Sequence, residues 1–415
     1  MKINQKIQAQ YSTVEGLYWM FAAAAFGFLT PVLKAKGYSD IDIGSLTAVK
    51  CVSNIFSQIL ITIFADRRAS SIQLKYIIDA LLLIGTAVTM AFYVCPSNML
   101  VGILVFLAFG ATINCIEPLI ESIAIQFMNH GQHFSYTAAR ACGSFTWAVI
   151  SIAIGVFADG CGAKNILLLE AGLAVLLFVA ITAMEKVDLA YVGPKTERKP
   201  VKKEPAEEKV HTVWYLLRHY PNFTVFLLGT IFATLSYNMG NCFLIDVVRR
   251  AGGNNTHLGI CEFVLAISEI PTAMLFMKMR RRLNLEKLLV VFTVSNTLKT
   301  AGTIFTNNIY VVIGSQAFEM LGFGLFYFCT IYFVRENLPQ TDVVKANSLV
   351  AVGMTGIGAS LGSAASGVIK TNLGLTSLLI IGTACGVLST VVMATNLRRP
   401  KCAAFSAEKE LPAET

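Results

Sequence analysis

The sequence predicts an all-α integral membrane protein with twelve transmembrane helices in two six-helix halves. Three observations predict this fold. Hydrophobic residues make up 55% of the 415 residues and charged residues only 14%, the mean hydropathy is +0.63, and one long polar stretch divides the apolar sequence into two parts. Soluble domains carry about 25% charged residues. The composition therefore excludes an ordinary soluble enzyme and an extended disordered chain.

Twelve apolar segments each approach the ~20 residues that a helix needs to cross a bilayer. Their apolar runs are continuous and do not alternate with polar residues, which predicts helices and excludes a β-barrel. The segments lie approximately at residues 15–33, 43–64, 75–95, 99–128, 138–158, 164–184, 222–245, 258–277, 287–306, 309–334, 344–368 and 373–396.

The long polar stretch sets the domain organisation. We predict an N-terminal half over residues 1–184, a charged linker over 185–218, a C-terminal half over 219–398 and a tail over 399–415. The linker is rich in lysine, arginine and proline, which is typical of a flexible charged connection. The division of the segments six and six indicates two structural repeats that pack as halves.

The distribution of lysine and arginine predicts the orientation. With a cytoplasmic N-terminus, 24 of the 33 Lys and Arg residues fall in inside segments, six in outside loops and three within spans. This asymmetry predicts a multi-pass protein of the cytoplasmic (plasma or cell inner) membrane with both termini in the cytoplasm. It also explains the net charge of +8 without a nucleic-acid partner. The N-terminus lacks a signal-peptide pattern, so the first span is predicted to be uncleaved. We expect a monomer.

Charged side chains inside spans are costly, so they usually face a cavity or a partner and mark function. Seven of them stand out: Lys50, Glu117, Glu121, Arg140, Glu269, Lys299 and Glu319.

In the N-terminal half, Glu117 and Glu121 are one helical turn apart and project from one face, with Pro118 between them. Arg140 lies on the next, antiparallel span. A carboxylate and a guanidinium in one cavity match adjacent hydroxyls of a solute, and Trp147 offers an indole on which a sugar ring can stack. The alternatives are an ion pair that only locks two helices and a packing or interfacial tryptophan.

In the C-terminal half, Glu319 lies among apolar neighbours, where its neutral, protonated form is favoured. Lys299 is the candidate cation whose approach would release that proton. The alternative is a static pair of Lys299 with Glu319 or with Glu269. The Lys50 side chain either faces a cavity, where it would have a function, or extends so that its ammonium reaches the membrane interface.

Two stretches resemble the lactose permease group, the oligosaccharide:proton symporter branch of the major facilitator superfamily. They are Asn114-Cys-Ile-Glu-Pro-Leu-Ile-Glu121 and Ala139-Arg-Ala-Cys-Gly-Ser-Phe-Thr-Trp147. The resemblance implies that Glu121 and Arg140 bind the sugar and that Trp147 stacks on it.

The C-terminal half and the first cytoplasmic loop extend the resemblance. It implies that Glu269 is a second sugar-site glutamate and that Glu319 carries the proton. Asp66-Arg67 resembles the superfamily motif of the loop between spans two and three, which suggests a gating loop. The resemblance covers essentially the whole chain.

Several family positions hold other residues here. Lys299 replaces an arginine, Gln316 a histidine and Asn241 an aspartate, while Tyr237 is kept. We therefore group Lys299, Gln316 and Tyr237 with Glu319 as the predicted proton-coupling set. Asn241 and the additional acid Glu117 join the predicted solute site.

Together these features predict proton-coupled symport of a sugar or glycoside by alternating access, with no cofactor and no metal. The expected partners are the small polar solute, protons and the lipid bilayer. The alternatives are a permease for nucleosides or other polar solutes, a drug exporter, and a receptor that binds solute without moving it. An intramembrane enzyme is disfavoured because no nucleophile–base pair is evident.

Overall fold

The structure is a computed structural model that describes residues 4–68, 71–129, 134–186, 212–339 and 342–398. Within these ranges every regular element is an α-, 3₁₀- or π-helix. The predicted tail over 399–415 and most of the predicted linker lie outside the described residues.

The N-terminal half contains six spans, numbered here in chain order. They are span 1 (Gln5–Ala22, the π-helix Ala23–Gly27 and Leu29–Ala35), span 2 (Asp40–Arg67), span 3 (Leu74–Val94), span 4 (Met99–Ala111, Ile113–Cys115 and Ile116–Asn129), span 5 (Tyr136–Cys161) and span 6 (Ala163–Asn165 and Ile166–Ala183).

The C-terminal half begins with a short helix, Val213–His219, and repeats the six-span pattern. Its spans are span 7 (Pro221–Asn241 and Leu244–Arg250), span 8 (Asn255–Arg282), span 9 (Leu285–Ala301), span 10 (Ile309–Ser315, Gln316–Leu321 and Phe323–Asn337), and spans 11 and 12, which share Val343–Ala351, Val352–Ala359, Ser360–Thr395 and Asn396–Arg398.

The membrane-spanning character of these helices confirms the predicted fold class. Among the described residues, eight helices are long and apolar enough to cross a membrane, and two bent helix pairs pass the same test as single spans. The longest of the eight, Lys345–Thr395, changes direction at Gly374, whose φ of 85° is non-helical, and so contains spans 11 and 12. Span 9 has 17 residues, the lower limit of a membrane-spanning length.

The helix of the first span is longer than the predicted apolar segment. The first span was predicted to start at residue 15, but its helix begins at Gln5. The Asn4 side chain accepts a hydrogen bond from Ile7 N (3.3 Å) at the helix start, and the first turns bury Ile7 and Tyr11. The predicted linker over 185–218 also contains the helix Val213–His219.

The two halves touch closely at the end of the bundle opposite the chain termini, called the closed end below. There, a Cβ on Gly44 of span 2 would lie 2.5 Å from Ser363 O of span 11. Gly155 of span 5 and Gly259 of span 8 likewise pack directly against backbone atoms of the opposite half. These glycines permit backbone contact between helices, as small residues do in membrane proteins.

Candidate solute-binding and coupling site

Arg140 and Glu117 form the charged centre of the N-terminal half. Arg140 Nη2 lies 3.6 Å from Glu117 Oε1, and the two side chains are 38% and 37% exposed. The guanidinium also stacks over the Trp19 ring, with its Cζ 4.2 Å from the ring centroid. Because they lie on spans 4 and 5 and remain accessible, these groups line the space between the halves and can contact a solute there.

Glu121 does not pair with Arg140, which corrects the predicted carboxylate–arginine pair. Its Oε1 accepts a hydrogen bond from the Tyr136 hydroxyl at 3.0 Å. The reason is the antiparallel register of spans 4 and 5. Glu121 lies one turn beyond Glu117, and it therefore faces Tyr136, one turn before Arg140.

A buried carboxylate on span 1, Glu15, was missed in the sequence. It accepts hydrogen bonds from the Tyr11 hydroxyl (2.8 Å) and from Trp19 Nε1 (3.0 Å), and it lies within electrostatic range of Arg140. The predicted span began at this residue, which placed Glu15 at its edge. The longer helix places it one turn from Trp19 and inside the protein.

Trp147 of span 5 lies beside Trp19, with 5.7 Å between the ring centroids. Its other neighbours are Gly27 of span 1 and Glu262 of span 8. The predicted position of Trp147, two turns along span 5 from Arg140, therefore faces the interface between the halves.

The C-terminal half contains a buried ion pair between Lys299 and Glu319. Lys299 Nζ lies 2.8 Å from Glu319 Oε2, and the side chains are 5% and 2% exposed. Glu319 Oε1 also accepts a hydrogen bond from Phe323 N at 3.2 Å, across the break in span 10. The Lys299 ammonium lies 4.8 Å from the Tyr237 ring centroid. Of the two predicted partners of Lys299, the structure pairs it with Glu319.

Glu269 faces the opposite half. It packs beside Gly324 of span 10 and lies within electrostatic range of Arg140. Tyr327 likewise lies within electrostatic range of Glu117 and of Glu269. The two halves thus bring Arg140, Glu117, Glu269 and Tyr327 to one shared space.

Gln316 and Asn241 complete the predicted sets. Gln316 is buried, and its Nε2 donates to Val312 O (3.3 Å) and to Ser315 Oγ (3.2 Å); it makes no hydrogen bond to Glu319 in the described part of the chain. Asn241 is the last residue of the helix Pro221–Asn241.

Lys50 is buried among the spans. Its ammonium lies 4.9 Å from the centroid of the Phe26 ring in the π-helical part of span 1. The structure therefore favours a position between the spans over the interfacial alternative.

The predicted gating loop is only partly described. Arg67 ends span 2 as an exposed residue, and the side chain of Asp66 lies outside the described part. In the C-terminal half, Arg280 makes an ion pair with Glu336 and stacks over Tyr332.

Four charges at the closed end join the two halves, and they are called the closed-end cluster below. Lys34 Nζ lies 3.2 Å from Asp40 and 2.7 Å from Asp246, and Lys370 Nζ lies 2.7 Å from Asp40 and 2.5 Å from Asp246. Lys34 and Asp40 belong to the N-terminal half, and Asp246 and Lys370 to the C-terminal half. Each charge therefore contacts one partner in its own half and one across the interface.

Asp159 makes a second polar connection at the closed end. Its carboxylate, near the end of span 5, accepts hydrogen bonds from the backbone N–H groups of Asn255 (3.1 Å) and Thr256 (2.8 Å) and from both of their side chains. An acidic group at a helix N-terminus satisfies free N–H groups and complements the helix dipole. Asp159 thus caps span 8 from the other half.

The comparisons with known proteins agree with this architecture. Residues 11–378 match the model of the MFS_1 like family. The chain belongs to this family. No protein of curated function matches it in sequence.

Solved transporter structures share the fold. The nucleoside transporter NupG has a TM-score of 0.78 at 13% identity, with 95% of this chain and 100% of that chain covered. A bacterial homolog of the human lysosomal transporter Spinster, inward-facing and occupied, has a TM-score of 0.67 at 12% identity, with 95% and 97% covered. Family membership and fold together confirm a multi-pass membrane transporter.

Proposed function

We propose that this protein is a proton-coupled symporter of a small solute that carries a sugar ring, with sugars and simple glycosides as the first class. The observation that supports the proposal is the shared space between the halves. Arg140 and Glu117 offer paired donors and acceptors there, as adjacent hydroxyls require. Glu269 offers a further acceptor from the other half, and Trp19 and Trp147 offer flat apolar surfaces for a sugar ring.

The Lys299–Glu319 pair supports coupling to protons. A buried carboxyl without its cation favours the neutral form, and a cation at 2.8 Å favours the carboxylate. In the proposed cycle, Glu319 takes up a proton from the outside and separates from Lys299 while solute binds. When the halves reach the arrangement seen here, Lys299 returns to Glu319, and the proton leaves to water on the other side.

The closed-end cluster and the Asp159 cap support alternating access by movement of one half against the other. At the end that carries the termini, the ion pairs among the described residues each lie within one half: Lys6–Glu185, Arg280–Glu336 and Lys345–Asp342. With the predicted cytoplasmic termini, the closed end faces outside, and the arrangement described here is open to the cytoplasm.

Nucleosides are the second candidate class. The similarity in fold to a nucleoside transporter favours them, and a nucleoside combines a sugar ring with a base that the two indoles can stack on. At 13% identity, the shared fold supports this class without selecting it over glycosides.

Uptake by the purified protein in liposomes tests the proposal. A panel of labelled sugars, glycosides and nucleosides is offered with an inward proton gradient and with the gradient collapsed by a protonophore. We expect accumulation of at least one panel member above its outside concentration, and only with the gradient. If every accumulated solute is insensitive to the protonophore, proton coupling is wrong. If no member enters or exchanges, the solute class is wrong.

A further inference from the structure

Glu262 is an acidic residue of the interface that the proposed binding and coupling steps leave unused. It lies on span 8, seven residues before Glu269. Seven residues are close to two turns of an α-helix, so both carboxylates project from the same face. Glu262 lies two turns nearer to the closed end than Glu269.

Glu262 meets Trp147 and Gly27 at a junction of three spans. A Cβ built on Gly27 would lie 3.5 Å from Trp147 Cζ2 and 3.7 Å from Glu262 Cδ. Gly27 is the last residue of the π-helix Ala23–Gly27, and such π-helical turns frequently occur at functional sites. The absence of a side chain at Gly27 leaves a gap between the indole and the carboxylate.

The polar groups beside this gap are incompletely paired. The Trp147 indole N–H is buried and has no hydrogen-bond partner among the described residues, although the Glu262 carboxylate is near enough to interact with it. Lys299 lies within electrostatic range of Glu262, but its ion-pair partner is Glu319. A buried donor without a partner is unfavourable, so an indole N–H left without a well-formed hydrogen bond beside a carboxylate indicates a place where a ligand completes the pairing.

We propose that Glu262 and the Trp147 indole N–H form a second solute contact, which binds the part of the solute beyond the first sugar ring. The indole N–H donates to this part, and Glu262 accepts from a hydroxyl or N–H of the same part. The matching chemistry is a second ring with adjacent donor and acceptor groups, such as the second sugar of a disaccharide or the base of a nucleoside. This assignment rests on the proposed function and divides the site into two levels.

The two levels follow the helix geometry. Arg140, Glu117 and Glu269 form the level nearer the termini, and Trp147, Glu262 and Gly27 form the level nearer the closed end. Seven residues separate Arg140 from Trp147 on span 5, as they separate Glu269 from Glu262 on span 8. This shift of ~10 Å along each helix is comparable to the length of one additional ring with its linkage.

Binding of matched solutes to the purified protein tests the proposal. The pairs are lactose against methyl β-galactoside, and uridine against ribose. For the two-ring member that binds, we expect Glu262→Gln and Trp147→Phe to weaken binding about ten- to a hundredfold, since each removes a hydrogen bond that involves a charged or buried group. For the one-ring member, the change should be less than about twofold, because Trp147→Phe keeps an aromatic surface for the first ring and the charged first-ring contacts are separate.

Gly27→Ala provides a steric test. The added methyl group would be in ordinary contact with both neighbours, so the fold should tolerate it, but it fills the gap. We expect it to weaken two-ring solutes selectively while the protein retains its thermal stability. Glu286→Gln and Trp214→Phe are matched controls outside the interface and should bind all four solutes as the parent does.

The outcomes separate the two proposals. If the parent binds none of the four solutes, the proposed solute class and this assignment both fail. If the parent binds a two-ring solute and Glu262→Gln binds it with the same affinity, only the assignment of Glu262 fails. Equal weakening of one-ring and two-ring solutes would place Glu262 in a single undivided site and would also overturn the assignment.

Discussion

Loss of one charge in the closed-end cluster should shift the transporter toward the state that is open at that end. Asp246→Asn keeps the shape of the side chain and removes the partner that both Lys34 (2.7 Å) and Lys370 (2.5 Å) contact. The two lysines are then left with Asp40 alone. Of the lost contacts, the one with Lys34 joins the two halves, so its loss acts directly on their association.

The magnitude follows from the burial of the cluster. Its side chains are 10–27% exposed, so the cluster is only partly buried. Exposed ion pairs contribute about 0–1 kcal/mol to stability, and the disruption of a fully buried pair costs about 3–5 kcal/mol. We therefore expect the closed end to be destabilised by about 1–3 kcal/mol, which increases the open population about 5- to 150-fold.

Alkylation of Cys242 measures this shift. Its backbone oxygen accepts a hydrogen bond from Thr30 Oγ1 of span 1 (2.6 Å), so it lies where the halves meet near the cluster. In a background without the other cysteines, a membrane-impermeant maleimide added from the closed-end side should label Asp246→Asn faster than the parent by the factor given above. The double variant Lys34→Gln with Asp246→Asn, which restores the charge balance, should be labelled at a rate between those of the parent and of Asp246→Asn.

A matched control lies at the other end of the bundle. Lys6 pairs with Glu185 at 2.6 Å, but within one half and with side chains 67% and 39% exposed. Lys6→Gln should leave the labelling rate of Cys242 unchanged. If Asp246→Asn also labels at the parent rate, the cluster does not hold the halves together and the reasoning is refuted.

Three further predictions concern the site, the helix contact and the orientation. Arg140→Lys should bind solute at least about tenfold more weakly, because an ammonium does not reproduce the planar donors of the guanidinium; parent-like affinity in calorimetry would make the contact with Glu117 purely structural. Gly44→Val should slow transport at normal membrane abundance, since its side chain would collide with Ser363 O; a parent-like rate would show that spans 2 and 11 need not touch. A cysteine in place of Lys195 should resist an impermeant reagent added to intact cells, and efficient labelling would reverse the orientation.

The sequence was sufficient to predict the all-helical membrane fold, but it left the partner of Lys299 open. Continuous apolar runs predict membrane-spanning helices because a backbone inside the bilayer must satisfy its own hydrogen bonds. Two carboxylates within spans, Glu319 and Glu269, were the predicted candidate partners of Lys299. The choice of Glu319 depends on the break in span 10, where Glu319 also caps the following helix through Phe323 N.

The pairings that depend on helix register were not predictable. Glu117 and Glu121 share one helix face, and only the antiparallel register of spans 4 and 5 assigns Arg140 to the first and Tyr136 to the second. The closed-end cluster was also missed, because its four charges lie in four separate segments and only its two lysines were counted, as outside-loop charges. Glu262 did leave a signal, the seven-residue spacing to Glu269, which places two acids on one face.

The most direct test of proton coupling compares solute exchange with uphill uptake in Glu319→Gln. This variant imitates the protonated carboxyl permanently and removes the 2.8 Å ion pair with Lys299. Lys299→Arg, which keeps a positive charge, serves as the matched variant and should retain coupling. We expect Glu319→Gln to bind and exchange solute like the parent but to lose accumulation against a gradient, because no proton is released in each cycle. Accumulation at the parent level in Glu319→Gln would contradict the role of Glu319 as the proton carrier.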